Sequence, residues 1–182
     1  MRFIDYSAAI FGLIFLCPIM IIIAILIKLD SKGPALFKQQ RVGQNGNTFT
    51  CLKFRTMAVG TKHVPTHQSS ANSITKIGNI LRRSKLDELP QLINVLFGQM
   101  ALVGPRPGLP NHDELIEARM KTGALDILPG ITGLSQVEGL DMSSPALLAE
   151  RDGDYAKSKN MFYDIKLIFM TLAAVVNRSK SH

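Results

Sequence analysis

Residues 6–27 contain no charged side chain, and Pro18 stands near the middle of that stretch. A helix of about 20 apolar residues is long enough to cross the hydrocarbon of a bilayer. A proline inside a helix removes a backbone donor and strains the preceding turn, so we expect a bend at Pro18. The stretch therefore predicts a membrane-embedded helix and places the rest of the chain at a lipid surface.

Basic residues flank this apolar stretch on both sides: Arg2 precedes it, and Lys28 and Lys32 follow it. Membrane proteins concentrate positive charge on the cytoplasmic side, so two basic flanks do not favour a crossing. A re-entrant helix, which bends at Pro18 and returns to the same side, satisfies both flanks. No small-x-small cleavage site follows the stretch, which argues against a signal peptide.

The remaining residues are basic and numerous enough for one domain. In the chain of 182 residues, 21 Lys and Arg outnumber 14 Asp and Glu, giving a formal net charge of +7. Beside a membrane segment, such a surface suits lipid headgroups and nucleotide phosphates better than nucleic acid. We predict a membrane helix over residues 1–30 and one further domain over residues 31–182.

The pattern of that domain predicts an α+β fold, in which a small β-hairpin is followed by several helices. Strands over 34–42 and 48–57 flank an Asn-Gly turn, which supplies positive φ. The interval 58–75 reads as a loop. The last helix is apolar with lysines around it, and it lies either in the headgroup plane or in the core. Helices are predicted over 77–83, 88–97, 111–123, 146–158 and 161–176, with a tight turn at 129–133.

Residues 82–90 place three strong cations directly before two adjacent carboxylates, Asp87 and Glu88. Neighbouring helical residues point about 100° apart, so this pair does not oppose two carboxyls across a bond as glycosidases do. It suits a division of labour in which one carboxylate attacks phosphorus and the other holds Mg²⁺. The alternative is structural, because Ser84 with Asp87 resembles a capping box at a helix N-terminus.

Other cations could bind phosphate. Arg106 lies between Pro105 and Pro107, which fix the backbone that presents its guanidinium. Lys53 and Arg55 alternate with apolar residues in the second predicted strand, so they either line a phosphate site or decorate one face of the sheet.

Several motifs follow one another in a recognisable order over nearly the whole chain: Arg2-x-x-Asp5, Cys17-Pro18, Lys53-Phe54-Arg55-Thr56-Met57, residues 82–95, Gly104-Pro105-Arg106-Pro107, residues 129–137, and Asp152 with Tyr155. In this order they resemble the bacterial sugar transferases that are monotopic phosphoglycosyl transferases, a group that contains the small bacillosamine-phosphate transferases. A lone Asp-Glu pair is weak as a signature, but the ordered series is specific.

The resemblance implies transfer of a sugar 1-phosphate from a UDP-sugar to polyprenol phosphate, at the cytoplasmic face of the bacterial inner membrane. This is the initiating step of glycoconjugate synthesis. It implies that Asp87 attacks the β-phosphate, releases UMP and becomes a phosphosugar ester, which the lipid phosphate then attacks. It also implies that Glu88 goes with Mg²⁺, that Arg106 goes with substrate phosphate, and that the helix broken at Pro18 is re-entrant. An N-acetylated hexosamine is the expected sugar.

The substrate-binding residues expected on this basis are Lys53, Arg55, Arg82, Arg106, Pro107, Gln136 and Asp152. The usual pattern carries basic or aromatic residues at three positions where this chain has leucine, namely Leu128, Leu134 and Leu140. The residues that bind the donor on that side are therefore less well defined. Two other functions remain open: a non-catalytic adaptor at the membrane surface, and a phosphatase that acts on lipid pyrophosphates through an aspartyl nucleophile. The sequence does not specify an oligomeric state.

Overall fold

The structure is a computed structural model that describes residues 2–60 and 73–180, with side chains as far as residue 175. Within these residues the fold is α+β, as predicted, with seven α-helices and two small sheets. Most of the predicted loop at 58–75 lies outside the described residues. The helices are α1 Arg2–Asp30, α2 Lys76–Ser84, α3 Gln91–Leu96, α4 Asp113–Thr122, α5 Leu134–Val137, α6 Pro145–Ser158 and α7 Met161–Lys180, and the strands are β1 Leu36–Val42, β2 Thr48–Phe54, β3 Ala101–Val103 and β4 Gly130–Thr132.

Helix α1 continues through Pro18, and in the described part of the chain it alone is long and apolar enough to cross a membrane. Its two ends are nevertheless bound to the same body. Asp5 Oδ1 accepts a hydrogen bond from Leu102 N at 3.2 Å, and Asp30 Oδ2 accepts one from Ile77 N at 3.1 Å. The helix therefore lies along the domain rather than projecting from it.

One side of α1 completes the hydrophobic core, and the other side is exposed. Ala9 packs with Phe49 and Val95, while Ile23 and Ile27 belong to a second cluster under β2 and α2. The exposed apolar side chains of α1 form a patch of a kind that soluble monomers rarely show. They include Phe3, Phe11, Ile14, Phe15, Ile22 and Leu29.

The hairpin of β1 and β2 forms as predicted, with Asn45 and Gly46 at positive φ in the turn. The alternation of Lys53 and Arg55 with apolar residues suggested that one face of the hairpin is apolar and the other cationic. The two faces are not divided in this way. Lys53 shares its face with Cys51 and Phe49, both of which are buried in the core. The hairpin has only two strands, so helices cover both of its faces in part.

Two sequence predictions need correction. Residues 88–97 do not form one helix: a 3-10 turn at Leu86–Glu88 comes first, and α3 begins only at Gln91. Pro90 stands at the cap position before α3, where its φ of −62° is already helical and no amide hydrogen is left without an acceptor. The predicted tight turn at 129–133 instead contains strand β4, which pairs in parallel with β3.

Helices α4 to α7 pack behind the β3–β4 pair. Tyr155 Oη on α6 lies 2.6 Å from Asp164 Oδ1 on α7 and 3.1 Å from the carbonyl oxygen of Val103 on β3. Helix α7 buries Leu167 against this core and exposes Phe162 and Phe169 on its other side. Helix α7 is thus amphipathic, with one core face and one exposed apolar face. The core contact is confirmed, and a position in the headgroup plane stays a prediction.

Candidate active site

The turn that carries Asp87 and Glu88 is set by the backbone of Lys85. Lys85 adopts the left-handed conformation, with φ 60° and ψ 10°, and this ends α2 and redirects the chain. Such a conformation costs a residue other than glycine about 1–2 kcal/mol. The redirected chain then buries both carboxylates, leaving 9% of Asp87 and 7% of Glu88 exposed.

Glu88 is neutralised by two cations from other parts of the chain. Its Oε1 atom lies 2.7 Å from Lys53 Nζ and 3.0 Å from Arg106 Nη2. Burial alone would raise the pKa of Glu88, but Lys53, Arg106 and Lys85 together hold that pKa well below its ordinary range. Glu88 is therefore ionised at neutral pH and fixes the two cations at the site.

Asp87 has the opposite electrostatic setting. Burial, and then the Glu88 carboxylate, raise the pKa of Asp87 above its ordinary value. Its Oδ1 atom is buried and accepts no hydrogen bond from the described residues. A carboxylate oxygen with its lone pairs uncommitted is well suited to attack an electrophile.

Both carboxylates face a cleft of about 720 Å³, large enough for a ligand of nucleotide size. One wall is the β1–β2 hairpin, and the opposite wall is the end of α2 and the turn after it. Six cations line the cleft within the described chain: Arg41, Lys53, Arg55, Arg82, Lys85 and Arg106. This concentration of positive charge suits a ligand with several negative charges.

Lys53 and Arg106 reach Glu88 because their backbones are held in place. Asn94 on α3 accepts a hydrogen bond from Leu52 N at 3.0 Å and donates one to the carbonyl of Thr50 at 2.8 Å, which fixes the free edge of β2. Arg106 follows β3, where the backbones of Gly104 and Gly130 approach too closely for any side chain. The β3–β4 pair therefore holds the start of the Arg106 loop in register.

The sequence of the whole chain was compared with known proteins. The model of the bacterial sugar transferase family matches residues 1–178. The chain belongs to this family. Its relatives include a UDP-glucose:undecaprenyl-phosphate glucose-1-phosphate transferase of Caulobacter vibrioides, 37% identical over all of this chain and 71% of the relative. The protein of the same name in Escherichia coli is 38% identical over 92% of this chain. The exopolysaccharide production protein PSS of Rhizobium leguminosarum is 38% identical over 98% of this chain and 96% of the relative.

The relatives differ in length. This sugar transferase chain spans only 38% of the Escherichia coli protein, although it spans most of the Caulobacter and Rhizobium proteins. The N-acetylated hexosamine expected from the resemblance is not supported by the Caulobacter and Escherichia coli relatives, whose names specify glucose.

The structure brings Asp87, Glu88, Lys53 and Arg106 of this family member together. Pro107 adjoins them, and its carbonyl accepts a hydrogen bond from Arg41 Nη1 at 3.1 Å. The capping box suggested by Ser84 and Asp87 does not form, because Ser84 Oγ instead donates to the carbonyls of Ile80 and Leu81.

Arg55 and Arg82 line the cleft, but each is also bonded to the protein. Arg55 is 6% exposed and donates to the carbonyls of Ile27, Ser31 and Lys32, so it caps the C-terminal end of α1. Arg82 Nε donates to Thr56 Oγ1 at 2.8 Å. Their substrate-binding roles remain predictions.

Asp152 and Gln136 do not line the cleft. Asp152 is 1% exposed, accepts two hydrogen bonds from Arg119 on α4 and accepts a third from Ser135 Oγ on α5, so it joins three helices. The amide atoms of Gln136 on α5 are buried and have no hydrogen-bond partner among the described residues. Substrate binding by these two residues also stays a prediction.

Sequence reasoning missed Arg41 and gave Lys85 no role of its own. Arg41 lies on the same face of the hairpin as Lys53, and burial, followed by the Arg106 charge, lowers the pKa of Arg41 to about 10. The period of two along β1 places Phe37, Gln39 and Arg41 on one face, and that alternation could have identified it. No sequence signal marks the left-handed backbone of Lys85, since such positions usually carry Gly or Asn.

The carboxylates fit the ligand set that Mg²⁺ uses with phosphate substrates, which is one or two carboxylates plus phosphate oxygens. Asp87 Oδ1 accepts no hydrogen bond in the described part of the chain, and Glu88 Oε1 is already shared by two cations. No group of three or more His, Cys, Asp or Glu residues that could hold a metal alone occurs among the described residues. A cation at this site would therefore depend on substrate phosphate to complete its coordination.

Proposed function

We propose that this chain transfers a sugar 1-phosphate from a UDP-sugar to polyprenol phosphate, through a phosphosugar ester on Asp87. The observation that supports this most is the uncommitted Asp87 Oδ1 in a cleft lined by six cations. A carboxylate so placed can approach a phosphate only where cations screen the repulsion between the two anions.

In the first step an oxygen of Asp87 attacks the β-phosphorus, and the bond from that phosphorus to the bridging oxygen breaks. UMP leaves with the electron pair. In the second step an oxygen of polyprenol phosphate attacks the same phosphorus and the ester bond to Asp87 breaks, which regenerates the carboxylate. Lys53 and Arg106, fixed by Glu88, stabilise the charge on the phosphoryl oxygens in both steps.

Mg²⁺ is part of this proposal. Glu88 Oε2 would hold it together with the donor phosphates, and when bound it would supply further neutralisation of phosphate charge. The residues of the chain still perform the positioning: β2 places Lys53, the β3–β4 pair places Arg106, and the turn after α2 places Asp87.

For the donor we propose UDP-glucose as the first candidate, with undecaprenyl phosphate as the acceptor. The names of the Caulobacter and Escherichia coli relatives support this choice over an N-acetylated hexosamine. This chain departs from the usual family pattern at Leu128, Leu134 and Leu140. UDP-N-acetylhexosamines must therefore be tested as donors beside UDP-glucose.

The function is tested by incubating the full chain in detergent or nanodiscs with undecaprenyl phosphate, Mg²⁺ and individual UDP-sugars, and measuring UMP. We expect release of UMP that depends on both lipid phosphate and Mg²⁺, highest with UDP-glucose. Release of inorganic phosphate from a lipid pyrophosphate, with no UMP from any donor, would instead indicate the phosphatase. Binding to anionic liposomes without either product would indicate the adaptor.

We also propose that α1 enters one leaflet from the cytoplasmic face of the inner membrane and returns, with α7 lying in the headgroup plane. Both ends of α1 are bound to one body through Asp5 and Asp30, and basic residues flank both ends. If this helix of 29 residues crossed the bilayer straight, its two ends would lie about 40 Å apart along the membrane normal, on opposite sides of the membrane. The domain could then contact both ends only if it lay inside the bilayer.

Topology is tested by labelling single cysteines in intact cells, in a variant whose Cys17 and Cys51 are replaced. With a reagent that cannot cross the inner membrane, we expect no labelling at position 7 or position 32, and labelling of both after the membrane is opened. Both positions would then lie on the cytoplasmic side. Labelling of Ser7→Cys in intact cells would show that the helix spans.

A further inference from the structure

Lys85 differs from the other cations of the cleft because its side chain makes no hydrogen bond or ion pair with the described residues. Within the described residues, five of the six cations that line the cleft donate hydrogen bonds to the protein: Arg41 to the Pro107 carbonyl, Lys53 and Arg106 to Glu88, Arg55 to the end of α1, and Arg82 to Thr56. The Lys85 side chain lines the same cleft, and within residues 2–60 and 73–175 its ammonium donates to no protein atom. It is therefore the cation of the cleft whose donors are all uncommitted within the described residues, whereas each arginine and Lys53 already uses at least one donor on the protein.

The backbone conformation of Lys85 also supports a functional role for its side chain. Its φ of 60° lies in the left-handed region, which glycine adopts freely and which asparagine tolerates better than lysine does. The position closes α2, where Gly or Asn would be the stable choice. Strained backbone positions of this kind concentrate at functional sites, so the lysine side chain is the feature that justifies the position.

The donor brings negative charge that Lys53 and Arg106, the two cations bonded to Glu88, do not balance by themselves. Lys53 and Arg106 match the two carboxylates of Asp87 and Glu88 charge for charge, and both are bonded to Glu88. A nucleoside diphosphate donor then brings further negative charge next to Asp87. Lys85 precedes Asp87 by two residues and lines the same cleft as both carboxylates, so its ammonium can contact a phosphate that is bound there.

We propose that Lys85 Nζ binds the pyrophosphate of the nucleotide donor and stabilises the negative charge that develops on the departing UMP. This rests on the proposed function and adds a residue to its binding machinery. The side chain then contributes both to donor binding and to the first chemical step, in which the bridging P–O bond breaks. It has no part in the second step, because UMP has left.

The proposal is tested with Lys85→Met, which removes the charge and keeps the length, Lys85→Arg, which keeps the charge, and Lys85→Asn, which relieves the backbone. Arg83→Met is the matched control, since Arg83 is exposed on α2 and does not line the cleft. We expect Lys85→Met and Lys85→Asn to lower kcat/KM for the UDP-sugar about 10- to 100-fold, the size of one hydrogen bond to a charged group. Lys85→Arg is expected to retain most of the activity, and Lys85→Asn to unfold at or above the temperature of the unmodified protein.

A second readout measures binding without turnover. In the Asp87→Asn background, the Kd for UDP measured by calorimetry is expected to rise about tenfold or more with Lys85→Met and to stay unchanged with Arg83→Met. Equal Kd and kcat/KM values for Lys85→Met and Arg83→Met would overturn the proposal, as would activity loss that merely tracks a lower melting temperature. If the unmodified protein releases no UMP, the transferase function fails, whereas UDP binding still tests Lys85 on its own.

Discussion

Substitution of Asp87 by Asn is expected to abolish UMP release, with a loss of about 10³-fold or more, because loss of the nucleophile removes the covalent route. The fold should survive. Asp87 Oδ1 accepts no hydrogen bond from the described residues that could be lost, and burial already disfavours the charge that the substitution removes. We therefore expect an unchanged or raised melting temperature together with retained UDP binding, measured by thermal unfolding and calorimetry.

The control for this variant is Asp154→Asn. Asp154 is exposed on α6, and its ion pair with Arg151 at 3.4 Å is of the surface kind that contributes less than about 1 kcal/mol. The covalent intermediate is measured directly by mixing enzyme and donor without lipid acceptor and recording the protein mass. The added hexose phosphate should map to the peptide that contains residue 87. Normal turnover by Asp87→Asn, or an adduct on another peptide, would contradict the mechanism.

Substitution of Glu88 by Gln is expected to lower kcat by about 10²- to 10³-fold and also to destabilise the fold. The loss of one carboxylate leaves Lys53 and Arg106 without their shared partner. Breaking a fully buried pair costs about 3–5 kcal/mol, and the partial exposure of both cations reduces the expected loss here to about 1–3 kcal/mol. The measurements are initial rates over a range of Mg²⁺ concentrations and denaturant unfolding.

The destabilisation should depend on pH with a defined sign. The folded-state pKa of Glu88 is depressed, so its contribution to the free energy of unfolding is present above the pKa of an unfolded glutamate and is lost as the pH falls. The difference between Glu88→Gln and the unmodified protein should therefore be full at pH 7 and shrink below about pH 4. Glu117→Gln, an exposed site on α4, should show no difference at either pH. A pH-independent loss would mean that the effect is packing rather than charge.

The elements that the sequence predicted best are those whose signal is local. The hairpin turn was identified because Asn45 and Gly46 tolerate positive φ, and α4 because Gly123 ends it in the left-handed conformation. The predicted start of α3 is too early, because the left-handed backbone of Lys85 ends α2 and a 3-10 turn follows it. No glycine or asparagine at position 85 indicates this change of direction in the sequence. Strand β4 was missed because its three residues become a strand only by pairing with β3.

The candidate site also has features that the sequence predicts and features that only the fold reveals. Asp87, Glu88, Lys53 and Arg106 were identified by motif order, but their convergence on one carboxylate oxygen depends on contacts between residues far apart in sequence. Arg55 and Asp152 also make contacts within the protein that no motif predicts. Their motifs marked them as functional, whereas the structure bonds one to the end of α1 and the other to Arg119. Residue type alone does not reveal whether a guanidinium or a carboxylate is already committed to the protein.

The way α1 is built into the domain has a consequence for biogenesis. Ala9 belongs to the same core as Phe49 and Val95, and Ile27 to the same core as Phe54 and Leu81, so the helix that is proposed to enter the membrane also completes the core of the residues that follow it. Lys53 sits on a hairpin whose packing is finished only when that segment is in position. Removing the first 30 residues to obtain a water-soluble protein would thus open two hydrophobic cores, so the N-terminal helix and the domain form one folding unit.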